Sequence, residues 1–427
     1  MREMKDSGIE WIGAIPNHWK VSKIKQIVCW KSVKGQSDLP VLSLYRDYGV
    51  IPKDSRDDNH NVTSLDTSGY KVVERGDLVI NKMKAWQGSL AVSEYNGIVS
   101  PAYHICKITS ENICKKYLHY LLRDASYLPE YMRLSTGLRV GQWDLSFDDF
   151  KNVPFLVPPL AEQERIAAFL DAECAEIDAV LEKTRASIEE YKKLKQAVIT
   201  QAVTKGIRED RPMKDSGIEW IGEIPKEWKR TKIKMVASFF NGDRTSRYPQ
   251  PADFVDDGVA FLTSRNIDGD EVNLSETKYI TENKYRSLSG AKIQIDDIVF
   301  CLRGSVGKCA LNRALSCGTV ASSLATIRPK NIYPKYLLYF LLSNIASTQT
   351  AIFMNGTCAA NLSAENVANY YIVLPCSAEQ KEIADYLDDK CEKINALIAK
   401  KQQYLTEIEN YKKSLIYEYV TGKKEVV

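Results

Sequence analysis

Three short motifs in this sequence could carry chemistry, and each of them is incomplete. The segment Gly304-Ser-Val-Gly-Lys-Cys309 is similar to a phosphate-binding loop, but it lacks the glycine needed at position 302 and the serine or threonine needed at 309. Three Glu-x-Lys triplets, beginning at Glu190, Glu276 and Glu282, match part of a nuclease site but have no Pro-Asp pair at useful spacing. The segment 157–160, Val-Pro-Pro-Leu, lacks the amide and the aromatic ring of a methyltransferase site. The motifs therefore favour a chain that carries no catalytic residue.

Histidine and cysteine do not form a catalytic or metal-binding pattern. The four histidines, at positions 18, 60, 104 and 119, all lie in the first half of the chain. The ten cysteines include no Cys-x-x-Cys pair and no Cys/His cluster at zinc-ligand spacing, so we expect free buried thiols. We predict no metal and no cofactor in this chain.

Basic residues recur in a pattern that favours nucleic-acid binding. Lysines at 20, 23 and 25 correspond to lysines at 229, 232 and 234, at an offset of 209 residues, and the stretch 19–37 contains no acidic residue. Such a run is often only a solvated face, but its recurrence favours a surface that faces phosphates. The net charge of +3 is small, so any such site must be a local patch.

The chain is a tandem duplication. Residues 4–20, MKDSGIEWIGAIPNHWK, and 213–229, MKDSGIEWIGEIPKEWK, are identical at fourteen of seventeen positions. These opening segments are matched by closing segments at an offset of 217, where 157–166, VPPLAEQERI, corresponds to 374–383, LPCSAEQKEI. The halves diverge in between, so we expect two related modules with different bodies on a common frame.

The closing segments lead into two matching amphipathic helices. Apolar or small residues recur at alternating spacings of four and three from Leu170 to Ala202, and the same pattern runs from Leu387 to Tyr419. A core-facing helix would also show such a stripe, but two equal copies of about 50 Å favour pairing with each other. We expect glycine caps at Gly206 and Gly422 and a capping box at 377–380. The predicted interface residues are Leu170, Ile177, Leu181, Ile188, Leu387, Ile394, Ile398 and Leu405.

The variable bodies have the pattern of mixed α/β domains. Residues 77–80 and 297–300 are predicted strands followed by polar loops, and residues 117–122 and 336–342 are predicted helices. Apolar residues make up 44% of the chain, and no apolar run approaches the roughly 18 residues of a membrane span. The first residues lack the apolar stretch of a secretory signal, so we expect a cytoplasmic protein.

The sequence resembles the specificity subunit of type I restriction-modification systems. The resemblance rests on the DSGIEW-IG-IP--W opening segments, on VPPLAEQERIAAFLD and LPCSAEQKEIADYLD, and on the paired helices, and it covers essentially the whole chain. It implies an α+β fold with two mixed α/β target recognition domains, 1–158 and 209–376. Two helical regions, 159–208 and 377–427, would form an antiparallel coiled coil that relates the domains by a pseudo-two-fold internal repeat.

The resemblance also implies a function and partners. The two domains would dock in the DNA major groove and read a bipartite target, with a spacer length set by the helices. Two methyltransferase (modification) subunits would supply S-adenosylmethionine, and restriction subunits would add ATP- and Mg-dependent translocation and cleavage. The chain itself would be non-catalytic.

The residues expected to contact DNA are those at positions matching the family's variable loops. In the first domain they are Lys82, Lys84, Trp86, Gln87, Tyr103, Arg139 and Gln142. In the second domain they are Arg244, Arg247, Arg265, Asn266, Arg303, Ser305 and Lys308. Two alternatives stay open: a coiled-coil scaffold that binds DNA only nonspecifically, and a self-sufficient nuclease that uses a Glu-x-Lys triplet.

Overall fold

The computed structural model describes residues 2–46, 48–56, 63–64, 66–137, 143–354 and 361–426. The chain forms two units, the first made of Met1–Arg185 with Gln403–Val427 and the second of Ala186–Gln402. Two long helices each contribute one part to each unit.

The first unit is built around a four-stranded antiparallel sheet of order β4-β11-β8-β9. Its strands are β1 (Met4–Asp6), β2 (Ala14–Pro16), β3 (Lys20–Lys23), β4 (Val28–Lys31), β5 (Leu42–Tyr45), β6 (Gly49–Pro52), β7 (Lys71–Val73), β8 (Asp77–Asn81), β9 (Leu90–Val92), β10 (Gly97–Val99), β11 (Tyr103–Ile108), β12 (Ser135–Thr136), β13 (Asp144–Leu145) and β14 (Pro154–Val157). Its short helices are α1 (Lys115–Arg123), α2 (Leu128–Leu134) and α3 (Phe147–Phe150), and they precede the long helix α4 (Leu160–Lys205).

The second unit repeats this sheet as β18-β25-β22-β23 and adds a second sheet, β19-β21-β20-β24. Its strands are β15 (Met213–Asp215), β16 (Glu223–Pro225), β17 (Lys229–Lys232), β18 (Ala237–Asn241), β19 (Phe254–Val255), β20 (Val259–Leu262), β21 (Lys278–Ile280), β22 (Ile298–Cys301), β23 (Cys309–Leu311), β24 (Thr319–Val320), β25 (Leu324–Pro329) and β26 (Tyr371–Leu374). Its helices are α5 (Glu282–Ser287), α6 (Pro334–Leu342), α7 (Asn344–Phe353), α8 (Ala364–Ala368) and the long helix α9 (Ser377–Val420).

The predicted strands and helices are confirmed, and the two long helices lie within the predicted helical regions 159–208 and 377–427. α4 has 46 residues and α9 has 44, so each is about 65–70 Å long. Both are longer than the roughly 50 Å of the heptad stripes alone, because most of each closing segment is also helical. The glycine caps are confirmed, since Gly206 and Gly422 have left-handed φ angles of 81° and 72°. The capping box is wrong: Ser377 already lies inside α9, and the Gln380 side chain bonds instead to Tyr333 N at 2.8 Å and Pro375 O at 3.0 Å.

In the first unit, the beginning of α4 pairs with the end of α9 in antiparallel orientation. The rings of Phe169 and Tyr419 lie 4.4 Å apart, and Asp178 accepts hydrogen bonds of 2.7 Å from the Nζ of Lys412. Farther along α4, Arg185 donates to Glu409 at 2.7 Å. As the residue number rises along α4, the residue number of its contact on α9 falls, which shows that the two helices are antiparallel. The predicted interface residues of this unit, all buried except the half-buried last one, are Leu170, Ile177, Leu181 and Leu405.

In the second unit, the end of α4 pairs with the beginning of α9 in the same antiparallel sense. Lys401 lies over the ring of Tyr191 at 5.8 Å, and Lys195 donates to Asn395 at 3.2 Å. The predicted interface residues of this unit are the buried Ile188, Leu387 and Ile394 and the half-buried Ile398.

The repeated opening and closing segments meet in each unit and form the same clamp. In the first unit, Glu162 of α4 accepts a hydrogen bond of 3.1 Å from the indole of the buried Trp19 and one of 2.9 Å from His18. The same carboxylate forms an ion pair with Arg2. Burial alone would raise the pKa of Glu162, but the hydrogen bonds from His18, Arg2 and Trp19 lower it, so the carboxylate stays charged. The tryptophan and glutamate that the repeated segments share at Trp19 and Glu162 therefore hold the frame together rather than act on a substrate.

Candidate nucleic-acid interface

In the first unit, strand ends converge on the short segment that precedes β11. The last residue of β8, Asn81, pairs with Tyr103, the first residue of β11. Lys82 follows β8, and its backbone N donates to Ala102 O at 3.2 Å. The predicted residues Lys82 and Tyr103 are therefore brought together, although they lie 21 positions apart in the sequence.

The loop after β8 is braced by the segment around β13. Leu145 N donates to Lys82 O at 2.9 Å, and the Nζ of Lys82 lies 2.9 Å from the carboxylate of Asp144. The rings of Trp86 and Trp143 meet edge to face with centroids 5.2 Å apart, and the Trp86 indole donates to Met83 O at 3.1 Å. The predicted Lys84 and Gln87 are exposed on this loop. Arg139 and Gln142 lie outside the described residues.

Two further lysines, Lys34 and Lys71, lie near Lys82 and Tyr103, and sequence reasoning missed them. Lys71 pairs with Lys34 in an isolated bridge, and its Nζ donates to Tyr103 O at 2.6 Å. Burial, followed by the positive charges of Lys34 and Lys82, lowers the pKa of Lys71. Three lysines therefore concentrate positive charge at one point of the unit. No local pattern in the sequence could have found Lys71, because it is placed by strand pairing across more than 30 residues.

In the second unit, four strands end around the corresponding segment, residues 321–324. β18 and β22 end where β25 begins, at the pairs Asn241–Ala325 and Cys301–Leu324. β20 and β24 run parallel and end together at the pair Leu262–Val320. Side chains that follow these strands must therefore lie near one another.

The residues after these strand ends are mainly arginines. Arg244 follows β18 and donates through Nε to Ser322 O at 3.3 Å, while Leu302 N, next to Arg303, donates to Ser323 O at 2.9 Å. Ala321 N donates to Leu262 O at 2.8 Å, close to the exposed Arg265. The structure thus brings together three predicted residues from three separate loops: Arg244, Arg265 and Arg303.

The loop from 302 to 308 is exposed and sharply turned. Gly304 and Gly307 have φ angles of 74° and 88°, which other residues rarely adopt, and the turn exposes Arg303, Ser305 and Lys308. Leu362 N donates to Leu302 O at 3.0 Å, which matches the bond from Leu145 N to Lys82 O in the first unit. The two units therefore present different side chains on one shared loop frame.

Comparison with known proteins identifies the family. The model of the type I restriction modification DNA specificity domain matches residues 16–190 and again 225–407. The chain belongs to this specificity-domain family. It is 24% identical over 425 residues to the type I restriction enzyme MjaVIII specificity subunit of Methanocaldococcus jannaschii, covering 96% of this chain and 94% of the relative. It is 25% identical over 329 residues to the type I restriction enzyme EcoBI specificity subunit of Escherichia coli, and the match covers 75% of this chain and 68% of the relative.

A solved structure shows the same fold. The chain matches, with a TM-score of 0.71 and 15% identity, a chain from a structure described as the basis of complex assembly and conformational transition of the type I R-M system. The match covers 96% of this chain and 99% of that one. This likeness supports the α+β architecture of a specificity-domain protein.

One residue chosen from the sequence has a different role in this specificity-domain protein. Asn266 is only 1% exposed, and its amide accepts from Thr263 N at 2.8 Å and donates to Asn273 O at 3.0 Å and to Thr277 Oγ1 at 3.1 Å. A side chain so engaged has no free group for a base edge, so the structure does not support DNA contact by Asn266. The Thr-x-x-Asn spacing of 263–266 is a capping signal that could have indicated this role.

The lysine run after each opening segment lies elsewhere. Lys25 precedes β4, whose first residue Val28 pairs with Ile108 at the end of β11, whereas Lys82 lies at the opposite end of that strand. In the first unit the lysine run and the strand-end loop therefore lie at opposite ends of β11, and contact between the lysine run and phosphates stays a prediction. Among the described residues, no group of three or more His, Cys, Asp or Glu side chains is placed to hold a metal ion.

The described residues form helices of up to 46 residues. No helix in that part of the chain combines the length and the apolar character needed to cross a bilayer.

Proposed function

We propose that each unit reads one short DNA half-site and that the chain is the sequence-recognition subunit of a type I restriction-modification complex. One observation carries this proposal: both units place cationic side chains at the same strand-end loops of the same frame, but the side chains differ. Lysines and tryptophans occupy the loops of the first unit, and arginines occupy those of the second. Different donors on equivalent loops are what two readers of unlike sequences need.

The site chemistry favours base-edge and phosphate contacts over catalysis. Arginine forks suit the O6 and N7 acceptors of guanine, and clustered lysines suit phosphates. We propose that the chain contributes no catalytic residue or cofactor, and that S-adenosylmethionine, ATP and Mg act on partner subunits. A DNA target agrees with the predicted cytoplasmic location.

The long helices offer a surface for those partners, which we propose to be two methyltransferase subunits and restriction subunits. In the first unit, Val180, Tyr404 and Tyr411 are exposed, and in the second unit Leu194 and Leu397 are exposed. Along α9 these apolar residues recur every seven positions, and those of α4 correspond to them at the offset of 217. A heptad stripe left exposed beside the paired seam fits a helix from a partner protein.

The test is selection from randomised duplex DNA by the full chain, alone and with co-expressed methyltransferase subunits. Enrichment of two fixed, unlike half-sites at constant spacing is expected. Salt-sensitive binding without any enriched sequence in the presence of the partners would instead support the nonspecific scaffold and refute the proposal.

A further inference from the structure

A buried carboxylate joins two loops beside the arginine cluster of the second unit. Asp243 is the second residue after β18, from which Gly242 separates it, and it is only 4% exposed. Its Oδ1 accepts from the backbone N of Thr245 at 2.8 Å and from Oγ1 at 2.7 Å. Its Oδ2 accepts from the backbone N of Ser289 at 2.8 Å and from Oγ at 3.1 Å. One oxygen therefore shapes the loop after β18, and the other fastens that loop to the segment after α5.

The backbone around Asp243 is packed too closely to shift. A Cβ added to Gly242 would lie 2.2 Å from Ala321 O, and a Cβ added to Gly290 would lie 2.4 Å from Asp243 N. A Cβ atom essentially never lies so close to a non-bonded backbone atom, so both positions require glycine. Asp243 is therefore clamped between the segment after α5 and the segment where the strand ends converge.

The loop held by Asp243 carries two of the candidate DNA-contacting residues. Arg244 donates through Nε to Ser322 O, and Arg247 donates through Nη1 to Ser287 O at 3.1 Å. A guanidinium has five N–H donors, so each arginine retains donors for a base or a phosphate. Fixing the loop in advance removes the cost of ordering it when DNA binds.

The charge of Asp243 persists over the working pH range. Burial alone would raise the pKa of this carboxyl, but hydrogen bonds from Thr245 and Ser289 outweigh burial and hold the pKa well below its usual range. The hydrogen bonds that Asp243 accepts from Thr245 and Ser289 therefore persist over that pH range and do not act as a pH switch.

We propose that Asp243 is a positioning residue that sets the base preference of one half-site by fixing the loop that presents Arg244 and Arg247. The inference rests on the proposed function, because it assigns a residue to the second of the two readers. At the offset of 209 residues, the position in the first unit that corresponds to Asp243 is Lys34. The carboxylate that fixes the loop is therefore a feature of the second unit. The half-site read by the first unit then serves as an internal control in the same molecule.

Asp243→Asn separates the two functions of the carboxylate. The amide oxygen can keep the turn to Thr245, while the amide nitrogen replaces the oxygen that accepts from Ser289 N. In selection from randomised duplex DNA with the full chain, we expect about tenfold weaker discrimination at one or two positions of the second half-site. The first half-site and the salt dependence of binding should be unchanged. Asp296→Asn, which alters an exposed carboxylate paired with Arg313 at the far end of the β22–β23 hairpin, should change neither half-site.

The outcomes separate this inference from the proposed function. If the unmodified chain enriches no half-sites, the proposed function fails whatever Asp243 does. If the unmodified chain enriches both half-sites and Asp243→Asn keeps the second preference intact, the positioning role is refuted. If Asp243→Asn unfolds the second unit, Ser289→Ala decides: it removes only the 3.1 Å bond, so a partial relaxation at the same positions supports the role and an unchanged profile refutes it.

Discussion

The indole Nε1 of Trp228 donates a hydrogen bond of 3.1 Å to the carboxylate of Glu379, from which it is separated by 151 residues. Both side chains are buried, and Arg211 pairs with the same carboxylate. The equivalent bond in the first unit, from Trp19 to Glu162, also measures 3.1 Å. The contact ties the beginning of each variable body to the first turn of the helix that follows it, so the loops between these points can diverge without loss of the frame.

Glu379→Ala should destabilise the second unit by about 2–4 kcal/mol, because it leaves a buried indole N–H without its acceptor and removes one of the two carboxylates that pair with the nearly buried Arg211 guanidinium. Denaturant unfolding followed by tryptophan fluorescence measures this change. Glu382→Ala is the matched control, since Glu382 is an exposed residue one turn along α9 whose pair with Arg208 should contribute less than about 1 kcal/mol. Equal effects of the two substitutions would contradict the clamp.

Arg303→Ala should relax the base preference at one or two positions of a single half-site, at a cost of about 1–3 kcal/mol, because an arginine fork reads guanine through two acceptors. Competition binding with single-position target variants measures the loss. Arg313→Ala is the control: it removes an arginine of the same hairpin that lies beside Asp296 at the opposite end. A uniform loss of affinity over all sequences would reassign Arg303 to a phosphate contact.

Local patterns predicted the frame of this protein well, because the frame is built from sequence-local signals. The repeated segments, the heptad seam and the cap at Gly206 each follow from spacing within one element. The interface depends instead on strand pairing between distant residues. The bond from Lys71 to Tyr103 and the bonds from Ser289 to Asp243 span 32 and 46 positions, so no spacing rule places them. Asn266 was predicted from its position in a segment that matches the family's variable loops, and no spacing rule shows that its side chain is buried.

Asp144→Asn should strengthen nonspecific DNA binding by the first unit, because it removes the carboxylate that lies 2.9 Å from Lys82 and frees that cation for phosphates. Affinity for a scrambled duplex should rise about threefold at low salt, with a steeper salt dependence. Asp148→Asn is the control, because Asp148 is exposed on α3 and pairs with Lys151 rather than with the strand-end loop. Weaker binding to every duplex would show that Asp144 itself contacts DNA.

Leu194→Ser combined with Leu397→Ser should weaken co-purification with the methyltransferase subunits by about tenfold or more, because each exposed leucine would lose burial against a partner helix. Helical circular dichroism should be unchanged, since neither side chain lies in the paired seam. Lys192→Ser and Lys193→Ser provide a polar control on the same exposed part of α4. Full retention of the partner by the double leucine variant would place the docking surface elsewhere.

Lengthening both long helices by one heptad should lengthen the preferred spacer without changing either half-site. The insertions belong between Arg185 and Ala186 and between Gln402 and Gln403, where each helix passes from one unit into the other, so the paired seam keeps its register. Seven helical residues add about 10.5 Å, which corresponds to at most about three base pairs at roughly 3.4 Å each. Selection from randomised duplexes measures the spacer directly. The same heptad inserted after Glu209, beyond the end of α4, should leave the spacer alone. If the doubly lengthened protein binds both half-sites at the original spacing, the long helices do not set the distance between the half-sites.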